Sequence, residues 1–155
     1  MTAATPEERL AELGHTLPEV ARPVAAYLPS VRSGPYVYVS GQVPLVNGVL
    51  SETGKVGADV TPERARELAA VCALNAIAAV RAEVGELSRV RRVVKVVGFV
   101  ASDPSFTGQP QVVNGVSELL GEVFGEAGRH ARSAVGVSVL PLDAPVEVEM
   151  IVEVE

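Results

Sequence analysis

Arg132 heads the stretch of this chain that could do the most chemistry, Ala131-Arg132-Ser133-Ala134-Val135-Gly136-Val137-Ser138-Val139-Leu140-Pro141. One arginine stands before a run of small, uncharged and β-branched residues, and Ser133 to Leu140 reads as a buried strand. A guanidinium at the mouth of such a strand needs an anion, water or a subunit boundary. Its planar fork suits a carboxylate or a phosphate taken through two hydrogen bonds. The pattern points to recognition of a small anion. The residues alone leave a second reading open, an internal ion pair with Glu147 or Glu149.

The other reactive side chains are sparse. The single cysteine, Cys72, lies in an Ala-rich helical segment. It has no internal disulfide partner, and with two distant histidines it builds no metal cluster, so it reads as a small core residue. His15 and His130 have no cysteine or Gly-rich serine elbow beside them, so no nucleophilic triad is expected. His130, two residues before Arg132, reads as solvated.

Charge and composition narrow the function further. The net charge is −6, and the densest basic cluster is Arg89, Arg91 and Arg92 with Lys95, without aromatic neighbours. A nucleic-acid binder needs a basic stripe to displace counterions and aromatics to stack on bases, so no nucleic-acid partner is expected. Glu7 and Glu8 stand where a signal peptide would be basic and then apolar, and no uncharged run approaches a membrane span. A cytoplasmic protein without membrane contact is expected. The chain is 48% hydrophobic and only 4% aromatic, with a mean hydropathy of +0.29. Such an apolar small domain is expected to keep apolar surface for identical subunits, although a GC-rich genome would enrich Ala, Val and Arg as well.

The elements that must position Arg132 follow from local patterns. Thr5-Pro6-Glu7-Glu8 starts a short helix that Gly14 ends. Val24 to Leu28 is expected as a short strand and Tyr36 to Ser40 as a clearer one, leading through Pro44 to a hairpin turn at Asn47-Gly48. Thr61-Pro62-Glu63 opens a long helix to about Val84, stopped by Gly85, with Leu68, Cys72, Ala76 and Ala79 on its inner stripe. Val90 to Val100 is a long strand. A loop follows from Asp103 to Gln109, then a second amphipathic helix from Gln111 to Phe124 with Val112, Val116, Leu119, Leu120 and Val123 inward. After Ser133 to Leu140, the last strand alternates from Val146 to Val154. This order predicts an α+β two-layer domain: a mixed sheet with two long helices on one face and the other face bare.

Several motifs along the chain, taken together, resemble the RidA/YjgF family, also called the L-PSP endoribonuclease family. They are Tyr27, Tyr38-Val39-Ser40-Gly41-Gln42-Val43-Pro44, Val94 to Val100, Asn114, Ala131-Arg132-Ser133, Leu140-Pro141 and Val146-Glu147-Val148-Glu149. The resemblance covers roughly Ala21 to Val154, so residues 1–20 are expected as a helical N-terminal extension and 21–155 as the RidA-like domain. It implies a chorismate-mutase-like fold and a homotrimer with clefts between subunits. The implied activity is hydrolysis of 2-enamine and 2-imine acids, such as 2-aminoacrylate, to 2-keto acids and ammonia, without metal or organic cofactor. Arg132 would grip the substrate carboxylate and Glu147 would orient the water. Tyr27, Ser40, Gly41 and Asn114 would line the cleft. Glu147 is expected on the strand next to that of Arg132.

This sequence departs from the family pattern in places. Ala134 stands where the family commonly has a cysteine, which removes any thiol role but keeps a backbone amide. The Asp103 to Gln109 loop is longer than in compact members. Two other functions stay open at this stage. One is a ribonuclease or translation inhibitor, as the family's older name suggests. The other is a non-catalytic trimer that binds a small carboxylate.

Overall fold

Thr5 begins the first helix as its side chain allows, in a computed structural model that describes residues 3–20, 23 and 26–155. Helix α1 runs Pro6–Glu12, and Thr5 and Glu8 cap each other reciprocally. α1 does not stand apart from the rest. Leu10 enters the main core, Arg9 donates to the Val123 carbonyl, and the Glu7 carboxylate accepts the Leu87 N–H. Leu17 and Val20 continue along the same core.

Two long helices carry most of the packing. α2 spans Pro62–Val84 with Thr61 as its cap and Gly85 at its end. Leu68, Cys72, Ala76 and Ala79 are buried as the spacing predicts, with Ile77 and Val80 beside them. α3 spans Gln109–Phe124, two residues longer at its start than expected. Pro110 is tolerated there because the first turn needs no N–H from it. Val112, Val116, Leu119, Leu120 and Val123 all face the core.

The strands are β1 (Ser30–Ser33), β2 (Tyr36–Gln42), β3 (Leu45–Val46), β4 (Val49–Leu50), β5 (Val90–Ala101), β6 (Ala131–Val137) and β7 (Val146–Val154). Five of them form one sheet in the order β1-β2-β7-β5-β6. All neighbours are antiparallel except β5 and β6, which run parallel and are linked through α3. The small β3–β4 hairpin turns on Asn47 and Gly48, both at positive φ (52° and 78°), the geometry of a tight two-residue turn. The result is the mixed α+β two-layer fold. The bare sheet face shows Val31, Tyr36, Tyr38 and Val135. Among the described residues no helix is long and apolar enough to cross a membrane.

Three expectations need correction. Of the strand expected at Val24 to Leu28, Val24 and Ala25 lie outside the described residues, Tyr27 and Leu28 lie in no strand, and the first strand starts at Ser30. The strand expected at Ser133 to Leu140 spans Ala131–Val137 and lies at the sheet edge, with Ala131, Val135 and Gly136 exposed. Its small, uncharged residues imitate a buried strand, but α3 covers only one of its faces. Finally, β7 is not the neighbour of β6. The parallel crossover through α3 lays β6 against one edge of β5, and β7 takes the other edge.

Candidate active site

Arg132 lies along α3. Its Nη1 donates to Asn114 Oδ1 at 2.8 Å and to Ser117 Oγ at 3.1 Å, and its Nη2 approaches the Pro110 carbonyl at 3.4 Å. These acceptors are spaced by four and three residues, so they share one face of the helix. The expected alternative, an ion pair with Glu147 or Glu149, is overturned. No salt bridge of Arg132 is found among the described residues. Both Nη1 hydrogens are used. Nε and the Nη2 hydrogen on the same edge have no partner among the described residues, and that edge is a ready two-point donor for a carboxylate.

Cross-strand register separates Arg132 from Glu147. Arg132 pairs with Val96, which pairs with Met150, and both partners are buried under the helices. Glu147 pairs with Phe99, which pairs with Val135, in the row that faces the bare side. Directly opposed residues share a face, so within one chain the two side chains project from opposite faces of the sheet. Ala134 follows Arg132 on the helix side and packs on the main core.

Ser40, Gly41 and Tyr27 belong with Glu147. The β2–β7 register shifts between Val39 and Gln42, and Gly41 falls in that bulge. A Cβ on Gly41 would sit 2.7 Å from Glu147 Oε1 and 2.9 Å from its Cδ, so only glycine lets the glutamate lie there. The Ser40 hydroxyl donates to the Leu28 carbonyl at 2.5 Å, and its N–H donates to the Pro29 carbonyl. Ser40 thus ties down the segment that carries Tyr27, which is 53% exposed.

The seven expected site residues therefore form two groups: Arg132, Asn114 and Ala134 at the α3–β6 edge, and Glu147, Gly41, Ser40 and Tyr27 at the β2–β7 bulge. Glu147 makes no hydrogen bond or ion pair among the described residues. Partial burial first, and the Glu149 carboxylate second, push its carboxyl above the ordinary range. Cys72 is fully buried, and desolvation raises its thiol well above normal, so it is inert.

Sequence reasoning missed two residues. Ser117 bonds both Arg132 and His130 Nε2, the latter at 2.9 Å, and His130 Nδ1 lies 2.6 Å from the Gly128 carbonyl. His130 is engaged rather than simply solvated. The signals were present: Ser117 follows Asn114 by three on a helix, and His130 precedes Arg132 by two on the approach to a strand.

Known proteins match the sequence and fold of this chain over nearly its whole length. Residues 7–154 fit a family described as "YjgF/chorismate_mutase-like, putative endoribonuclease". Protein TCP17 of Trypanosoma cruzi is 47% identical over 147 residues, 93% of this chain and 91% of that protein. The crystal structure of the protein Atu1372 from Agrobacterium tumefaciens is 49% identical, covering 97% of this chain and 92% of that one, with a TM-score of 0.91. A structure from Shewanella oneidensis described as a "putative endoribonuclease" has a TM-score of 0.95 at 37% identity, covering 97% of this chain and all of that one. The chain belongs to the YjgF/chorismate-mutase-like family.

Proposed function

We propose that this protein hydrolyses 2-enamine and 2-imine acids to 2-keto acids and ammonia, in clefts shared between subunits of a homotrimer. The observation that carries this reading is the open Nε/Nη2 edge of Arg132, held in place by acceptors on α3 that leave that edge free. A substrate carboxylate on this edge gains a charged two-point contact, worth about 1.5–3 kcal/mol per charged hydrogen bond. An imine conjugated to that carboxylate is already electrophilic. It needs only to be oriented and to meet a water.

Glu147 of the partner subunit is the base in this scheme. Its carboxyl, raised by burial, takes a proton from the water as the oxygen bonds to the imine carbon. As the oxygen bonds, the C=N π pair moves onto the protonated imine nitrogen to give a carbinolamine. Glu147 returns its proton to that nitrogen, the C–N bond breaks with loss of ammonia, and the hydroxyl releases its proton to leave the keto acid. Apolar residues on the bare sheet face supply the surface that brings copies together. The buried free Cys72 suits a reducing cytoplasm, where we place the protein.

The test is keto acid release from freshly generated 2-aminoacrylate, compared with its spontaneous hydrolysis. Acceleration that scales with protein concentration supports the reading. Hydrolysis at the spontaneous rate rejects it.

A further inference from the structure

The hydrogen bonds that hold Arg132 continue past Ser117, and they all run in one direction. The Gly128 carbonyl can only accept, so His130 Nδ1, 2.6 Å away, carries a proton. In the neutral ring Nε2 is then bare and accepts. Ser117 Oγ, 2.9 Å from Nε2, must donate to it. With its proton committed, Ser117 turns only lone pairs towards Arg132 Nη1 at 3.1 Å. Guanidinium donates to hydroxyl, hydroxyl to imidazole, and imidazole to backbone carbonyl, so each bond polarises the next.

The fold supports every link. Ser117 lies one turn after Asn114 on α3, and His130 stands just before β6, two residues ahead of Arg132. Gly128 is buried in the turn that closes α3, so the terminal carbonyl is packed in place. Without Ser117 the guanidinium would be held by one short bond to Asn114 and one long bond to the Pro110 carbonyl. Ser117 occupies the other Nη1 hydrogen and so tightens which edge faces outward.

We propose that Ser117 and His130 are positioning residues of the carboxylate site, fixing the plane of the Arg132 guanidinium without touching the substrate. The proposal rests on Arg132 as the substrate clamp, and its test separates the two ideas. At about pH 8, nitrogen NMR of labelled protein reads the His130 tautomer, assigned by the signal lost in His130→Phe. The same samples are titrated with pyruvate as the carboxylate probe and assayed for keto acid release.

The relay predicts a proton on Nδ1 of His130, opposite to the tautomer that free histidine prefers. Ser117→Ala and His130→Phe should weaken pyruvate binding and raise KM about threefold to tenfold, the range expected for one hydrogen bond. Ser117→Thr keeps the hydroxyl and His130→Gln keeps an acceptor, so both should stay within about twofold of the parent. A proton on Nε2, or pyruvate binding by the Ala and Phe variants equal to the parent's, overturns the positioning role and leaves the clamp standing. A parent that neither binds pyruvate nor releases keto acid rejects the clamp, and the positioning role falls with it.

Discussion

Arg132 and Glu147 sit in contrasting surroundings. Around Arg132 the side chains are linked: Asn114, Ser117 and His130 join it in one connected network on the α3–β6 edge that leaves only its Nε/Nη2 edge open. Around the Glu147 carboxylate no such network is found among the described residues. The carboxylate lies over Gly41 in a strand bulge, partly desolvated and unpartnered among the described residues. The first region suits a group that must stay charged and hold one orientation. The second suits a group that must exchange a proton, because nothing pins it in its ionised form. Binding and proton transfer make opposite demands on a side chain, and in the proposed scheme they fall on opposite faces of the sheet.

The largest expected effect comes from removing the proton acceptor. Glu147→Gln should lose roughly 10²- to 10⁴-fold in kcat, the usual contribution of a general base, while still binding pyruvate. Parent-like turnover in steady-state keto acid release would show that the unpartnered carboxylate is incidental. Arg132→Lys should follow, with roughly a 10²-fold loss in kcat/KM, since lysine keeps the charge but not the planar fork. Its pyruvate affinity should fall as well, which Glu147→Gln does not predict. If both residues act on one bound complex, as proposed, the double variant should lose less than the sum of the two single losses in free-energy terms.

Gly41→Ala sharpens the comparison without altering either charge. The new methyl would displace the Glu147 carboxylate, the far end of a flexible side chain, so the fold should survive. Activity should drop by roughly 10- to 10²-fold from misplacement alone, with pyruvate binding unchanged. Thermal melting should confirm an intact fold.

The smallest effect is one of stability. The folded state holds the Glu147 proton more tightly than the unfolded chain does. Ionising Glu147 therefore costs the fold stability, and that cost appears as pH rises through the raised carboxyl pKa. Glu147→Gln should melt at a higher temperature than the parent at about pH 8 and at the same temperature near pH 3, below the ordinary carboxylate range. A Tm difference independent of pH contradicts the assigned cause.

The fold was legible in the chain because its signals are local. Thr5 and Thr61 mark helix starts, Asn47-Gly48 marks a turn, and Val146 to Val154 alternates by two. The edge position of β6 was not legible. Partial burial of Ala134 and exposure of Val135 depend on which face α3 covers, and no local pattern encodes that. The pairing of β7 with β5 is likewise a property of the crossover. Motifs brought the seven site residues together in the sequence reading, but only the strand register reveals that one chain holds them as two groups. Ser117 and His130 escaped because a lone serine on a helix and a lone histidine before a strand carry no chemistry until a third residue joins them.

The claim that the two groups act together across subunits is tested most directly by mixing them. On the proposed assembly, Arg132→Lys and Glu147→Gln chains coexpressed in equal amounts should form mixed oligomers in which some clefts join an intact Arg132 to an intact Glu147. If each cleft draws one residue from each of two copies, random assembly leaves about a quarter of the clefts whole, and about a quarter of the parent's keto acid release should return. Recovery no greater than the sum of the two separately purified variants, in oligomers shown by mass spectrometry to be mixed, would contradict a shared cleft.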